Sequence, residues 1–255
     1  MPTLDPDNRP KIFIGGECSG VVRNAIWELC PSAYVVSADL KAAEDGYKFE
    51  RHNGGHWIGD MCDVVDMFAE DQNYFDAGLW HPVCTYLTHS AAWAYEDPDY
   101  NRYPGVGYHQ QVRLGTLTGE RRREAREEQL NYIRRIWKLP IGRRYIENPA
   151  QGALNSVLGR PTQVVQPYMF GDDASKATGI WVHHGAELEV PPESDWVAPR
   201  MVDGRPRWAN QTDSGQNNLS PSPDRTADRS RTYPGLGKAL ARALLLSAKA
   251  SGAKI

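Results

Sequence analysis

The sequence predicts an α/β fold built on a mostly parallel, doubly wound sheet. Two observations carry this. Short apolar runs ending in Gly or Asp recur along the chain, and most are followed by segments with apolar residues at helical spacing. With 255 residues, 40% hydrophobic and 24% charged, the chain suits one good core and a small appended lobe.

In order, "KIFIGG" reads as a buried strand ending in glycines and "GVVRNAIWELC" as an amphipathic helix. "AYVVSADL" is a second strand closing on an aspartate. "WIGDMCDVVDMFAE" gives a brief third strand or turn and then a helix. "FDAGLWHPVC" is a fourth strand, "EEQLNYIRRIWKL" a helix, "RRYIENP" a fifth strand and "TGIWVHH" a further one. "YPGLGKALARALLLSAKA" is the terminal helix. Two stretches break the alternation. Residues 94–118, rich in Tyr, Gly, Pro and Asn, read as a binding loop or lid inserted in the main domain. Residues 185–228, with Trp196 and Trp208 among Pro, Asn, Ser and Arg, read as a small irregular lobe. The main domain is then 1–184 plus 229–255.

No apolar run approaches the roughly 18–20 residues of a membrane span. The first residues lack the basic-then-apolar layout of a signal peptide, so a cytoplasmic protein without a membrane partner is expected. The cysteines, Cys18, Cys30, Cys62 and Cys84, form no CxxC and no zinc-type Cys/His spacing, and His183 and His184 are chain neighbours; no metal is expected. The net charge of −3 argues against a chain coated in basic charge for nucleic acid. The arginine-rich "GERRREAREEQLNYIRRIWKLPIGRR" reads first as a solvated helix face with Glu at i,i+4 from Arg, and second as a phosphate contact. Arginines between 200 and 231 lie in polar, Pro-rich loops that suit backbone contact.

Candidate site residues cluster at strand ends. The glycine turn in "FIGGECSGVVRNAI" allows close approach of a ligand at a helix N-terminus, or is simply a tight turn. Asp39 after the second strand suits ribose hydroxyls and Asp60 after the third suits an adenine amino group; either could instead cap a helix. Cys84 follows the fourth strand, as a packed thiol or as a nucleophile. Glu147 ends the fifth strand, as a cap or as a proton donor.

The order F-x-G…D…GD…PxC…EN…PG resembles that of the DNA cytosine-5 methyltransferases. "ECSGVVR", "HPVCTYLTHS", "IENP", "QPYMFGDDASKATGIW" and "PSPDRTADRSRTYPGLGKALA" resemble a small phage- and prophage-type branch, over nearly the whole chain. The resemblance implies a Rossmann-like class I methyltransferase fold using S-adenosylmethionine, in a bacterial or phage-infected cell. Phe13, Gly15, Glu17, Ser19 and Gly20 would line the methionine and adenosine parts of the cofactor, with Asp39 at its ribose and Asp60 at its adenine. Pro82, Pro234 and Gly235 would complete the cofactor site. It further implies DNA as partner, with the target base flipped out or single-stranded. Cys84 would attack C6 and Glu147, beside Asn148, would hydrogen-bond N3. The usual Pro-Pro-Cys is Pro82-Val83-Cys84 here, and Lys176 with Thr178 would stand in for a missing Gln-x-Arg-x-Arg. Glu17, a carboxylate in the glycine loop, marks a second departure. It opens an alternative in which 5,10-methylene-tetrahydrofolate gives hydroxymethylcytosine, on DNA or on a nucleotide. A DNA-binding homologue without turnover is the remaining reading.

Overall fold

The computed structural model describes residues 8–68, 74–96, 117–219, 229 and 231–253. Most of the expected loop at 94–118 and residues 220–228 of the expected lobe lie outside them. The elements in chain order are β1 (Lys11–Gly15), α1 (Val21–Leu29), β2 (Tyr34–Asp39), β3 (Gly54–Ile58), α2 (Met61–Phe68), β4 (Ala77–Trp80), α3 (Gly119–Ile136), β5 (Arg144–Pro149), α4 (Asn155–Leu158), β6 (Gln163–Val165), β7 (Thr178–His183), β8 (Arg200–Val202), β9 (Arg205–Arg207) and α5 (Pro234–Ala250). No described helix is long and apolar enough to cross a membrane.

Seven strands form one sheet in the order β3-β2-β1-β4-β5-β7-β6. The pairings β1–β2, β1–β4, β2–β3 and β4–β5 are parallel, and only β7 runs against its neighbours β5 and β6. This order, with one reversed strand inserted before the edge, makes a Rossmann-like, mostly parallel doubly wound sheet. The expected fold class is therefore the observed one.

The central strand shows why the sequence folds this way. β1 is buried on both faces, so its side chains alternate between two apolar layers. Ile12 and Ile14 join the layer made by Val22 and Ile26 of α1 and Leu240 and Leu244 of α5. Phe13 points the other way, its ring 5.4 Å from Phe75 and 5.8 Å from Trp80. Phe68 of α2 reaches the same aromatic cluster, 5.1 Å from Phe75. Gly15 lets Trp80 and Met61 close in, since a Cβ there would lie 2.5 Å from the indole.

The chain divides into two compact units. The first is Met1–Pro82, Leu139–Ala150 and Pro161–Ile255 and holds the whole seven-stranded sheet; the second is Val83–Lys138 with Gln151–Arg160. The described residues of 185–228 lie within the first unit. The tryptophans that suggested a lobe pack within the first unit: Trp208 stacks on Tyr168 at 4.3 Å, and Trp196 meets the same ring at 5.7 Å.

Candidate functional site

Parallel strands bring their carboxyl ends to one edge of the sheet, and in a doubly wound sheet ligands bind along that edge. The turn after β1, Asp39, Asp60, His81 with Pro82, and Glu147 with Asn148 all lie there, within the first unit.

At the first turn, Gly16 has φ +77°, and a Cβ would come within 2.4 Å of the His81 carbonyl oxygen. Gly20, φ 75°, precedes α1 without a side-chain cap of its own. Glu17 supplies that cap from three residues upstream. Its carboxylate accepts the Val22 N–H at 2.5 Å and the Arg23 N–H at 3.3 Å. Anionic charge at this helix N-terminus therefore comes from the chain itself. Burial pushes the Glu17 carboxyl above its usual range, against the opposing pull of His81 and the two amides. Ser19 Oγ accepts from Val21 N at 3.4 Å. Phe13, expected at the cofactor, is instead a core residue with 0% exposure, because it lies inside β1 rather than at its end.

Asp39 and Asp60 close the next two strands. Asp39 Oδ1 accepts from Lys41 N at 2.9 Å, and Asp60 Oδ1 accepts from Cys62 N at 2.9 Å and Asp63 N at 3.2 Å. Asp60 thus caps α2, one of the two roles open to it. The register places Asp39 opposite Ile58. Ile58 is 61% exposed and Leu40 76% exposed, so two apolar side chains stand open to solvent at the strand ends that carry the acids. The loop after Asp39 is anchored by a buried relay. Arg23 reaches Asp45 and, at 2.6 Å, Ser37 Oγ; Ser37 pairs with His56 Nδ1 at 2.9 Å, and His56 Nε2 donates to the Lys41 carbonyl at 2.8 Å.

The ends of β4 and β5 are joined by two hydrogen bonds. His81 Nδ1 lies 3.0 Å from Glu147 Oε2, and Asn148 Nδ2 donates to the Pro82 carbonyl at 2.8 Å. Burial would push the Glu147 carboxyl up, but the Lys176 ammonium and His81 together hold it below the ordinary carboxylate range. An ionised Glu147 only accepts, so His81 Nδ1 is the donor. Asn148 is thus bonded to Pro82, and Glu147 to His81 with the Lys176 charge acting on it. Pro234 and Gly235 begin α5, where Asp172 accepts from Gly235 N at 3.0 Å and Leu236 N at 3.3 Å.

Cys84 belongs to the second unit. Its carbonyl accepts from Leu87 N at 2.9 Å and Thr88 N at 3.1 Å, which sets a turn over Thr85–Leu87. The thiol is half-buried. Three arginines of α3 hold this turn and the 3-10 segment His89–Tyr95. Arg122, 4% exposed, donates to the Thr85 carbonyl at 3.2 Å and the Leu117 carbonyl at 3.3 Å, over the faces of Tyr86 and Tyr95. Arg126 donates to the Tyr86 carbonyl at 3.2 Å and lies 3.4 Å from the Tyr95 ring centre; Arg123 donates to the Tyr95 carbonyl at 2.5 Å. Arg122 and Arg126 thus brace this turn, while Arg121, Arg123, Arg134 and Arg135 are exposed.

No protein-family model matches this chain, and no curated protein sequence matches it. Among solved structures it is similar to a SAM-dependent methyltransferase from Neisseria gonorrhoeae, at 11% identity and a TM-score of 0.31. The alignment covers 70% of this chain and 64% of that one, so this chain spans less than two thirds of that protein's length. The fold assignment rests on the strand order itself.

Three residues at this edge of the first unit were not singled out in the sequence: His81, Leu40 and Ile58. Leu40 and Ile58 carried a faint signal, as apolar residues one position after and two before the strand-end acids. His81 carried a better one, since the residue before a proline is extended and here directly follows a buried strand.

Proposed function

We propose that the protein is an S-adenosylmethionine-dependent cytosine C5-methyltransferase acting on DNA. The observation that carries the reading is the buried Glu147, on the ligand edge of the sheet, tied by His81 and Asn148 to the residues that lead the chain into Cys84.

The residues present fit the cofactor. Asp39, with one oxygen turned to Lys41 N, keeps Oδ2 for ribose hydroxyls, and the exposed Leu40 and Ile58 offer apolar faces for a purine. Glu17 suits a positively charged ligand better than an anionic one. When bound, the cofactor supplies an electrophilic methyl group.

The chain's own residues do the rest. The Cys84 thiolate adds to C6 of the pyrimidine, and the displaced electron pair arrives at N3. The Glu147 site stabilises that charge at N3, with Lys176 as the fixed cation beside it. C5 takes the one-carbon group, a base removes the C5 proton, and the thiolate leaves. A stacked base is out of reach of this chemistry, so the target is flipped or single-stranded.

The test is to incubate the protein with DNA and S-adenosylmethionine, digest to nucleosides and weigh the products. 5-Methyl-2′-deoxycytidine is expected, and Cys84→Ala abolishes it. 5-Hydroxymethyl-2′-deoxycytidine appearing only with methylene-tetrahydrofolate would replace the donor. No modified cytosine with either donor leaves the DNA-binding homologue.

A further inference from the structure

The residue just before Pro82 has no assigned part in this reaction, yet it sits in the middle of the site's buried charges. His81 is anchored through its backbone, its N–H donating to the Gly15 carbonyl at 2.8 Å while its own carbonyl fills the space Gly16 leaves open. Its ring and the Glu147 carboxylate are both nearly buried, with 11% and 8% of their side chains exposed. Nε2 is buried and has no hydrogen-bond partner among the described residues. The ring therefore exchanges a proton with this unit along a single path, from Nδ1 to Glu147 Oε2.

That path meets a chemical need. Addition of sulfur to C6 places an electron pair on N3, which must be met by a proton. An ionised carboxylate has only acceptor oxygens and cannot provide one. Lys176 cannot serve through Glu147 either, because its effect there is to keep the carboxylate charged. We propose that His81 is a positioning residue that keeps, on Nδ1, the proton Glu147 delivers to N3 of the target pyrimidine. The proposal deepens the cytosine reading above and rests on it.

The step balances. As the Cys84 S–C6 bond forms, the Nδ1–H proton of the His81 imidazolium passes to the ionised Oε2 and on to N3, leaving His81 a neutral imidazole with its proton on Nε2. After C5 has accepted the one-carbon group and lost its proton, and the C6–S bond has broken, N3 returns its proton to Glu147 and His81 recovers Nδ1–H. Nothing is oxidised or reduced, and both side chains end as they began. The charged groups acting on the pair are Glu17 from the turn after β1 and Lys176 from the segment before β7.

Two measurements decide it. In protein carrying isotope-labelled histidine, NMR reports whether His81 Nδ1 bears a proton before DNA is added. An Nδ1–H hydrogen-bonded to Glu147 is expected, with a resonance that moves in Glu147→Gln. A resting ring without a proton on Nδ1, or an Nδ1–H resonance unmoved by that substitution, overturns the pairing. Second, covalent trapping on 5-fluorocytosine DNA is followed against pH. His81→Asn keeps a donor but does not titrate. It is expected to bind DNA as the parent does while trapping about 100-fold more slowly, with a flattened pH profile. Weaker DNA binding with an unchanged profile would make His81 merely structural and overturn the proposal. If the parent protein traps no DNA, the cytosine reading falls by itself, and the NMR measurement still decides whether His81 Nδ1 holds a proton against Glu147.

Discussion

Asn148 Nδ2 donates to the Pro82 carbonyl at 2.8 Å, and both residues are buried at the ends of adjacent parallel strands. The bond fixes the point where the chain leaves β4. Asn148→Ala leaves a buried carbonyl without a donor, at a cost of about 1–3 kcal/mol. Urea unfolding should show a lower midpoint with an unchanged slope. Asn148→Asp should cost at least as much, because it sets a carboxylate against a carbonyl oxygen. An unchanged midpoint in both variants would remove the clasp from the account.

The exposed apolar pair beside Asp39 makes a second prediction. Ile58→Ser and Leu40→Ser should weaken S-adenosylmethionine binding in calorimetry while leaving unfolding nearly unchanged, since neither side chain is in the core. Asp39→Ala should weaken it further, by about tenfold to a hundredfold, as expected for lost hydrogen bonds to a charged group. Equal affinity in all three variants would place the nucleoside elsewhere.

Most of the sheet was legible in the sequence, because β1, β2 and β4 are short, largely apolar runs closed by Gly15, Asp39 and the His81-Pro82 pair, and β5 carries an apolar Tyr145-Ile146 before its polar end. β6 was not: Gln163–Val165 is too short to show a period, and pairing with β7 makes it a strand. Phe13 was misplaced because a motif letter fixes order along the chain but not which residue ends the strand. At the site, Asp39, Glu147 and Asn148 were legible as polar residues closing apolar runs. The role of His81 was not, since its partner lies 66 residues away and only the β4–β5 pairing brings them together. The bracing by Arg122 and Arg126 was hidden for the same reason: helical spacing pairs Arg with Glu, whereas the fold supplies backbone carbonyls and tyrosine faces.

Those arginines give a third prediction, confined to the second unit. Arg122→Met removes the donor from the Thr85 and Leu117 carbonyls and the cation from two tyrosine faces. The expected local cost is about 2–4 kcal/mol. Hydrogen exchange should speed up at the Leu87 and Thr88 amides, which bond to the Cys84 carbonyl, and stay unchanged at the β1 and β2 amides. Arg122→Lys should recover part of the protection, because it restores charge without the planar fork. Exchange unchanged at Leu87 in Arg122→Met would refute the brace.

The last prediction concerns alkaline pH. Tyr145 Oη donates to the Ala186 carbonyl at 2.6 Å and pairs with Ser247 Oγ at 2.6 Å, and Ser247 Oγ in turn accepts the Ala186 N–H at 2.8 Å. This closed set of bonds ties β5 to α5 and to the chain after β7. Burial pushes the phenol up to about 12 from its ordinary 10, despite the opposing hydrogen bonds of Ser247 and Ala186. A folded-state value above the unfolded one means that the unfolded chain ionises first. The stabilisation is therefore complete below pH 10 and drains away as pH rises towards about 12. Tyr145→Phe should be less stable than the parent at pH 8, having lost a buried hydroxyl and left Ala186 and Ser247 short of a partner. It should lose less of what remains between pH 10 and about 12. Urea midpoints measured across that range should converge for the two proteins. Parallel curves would mean that Tyr145 ionises in the folded protein as readily as in the unfolded chain.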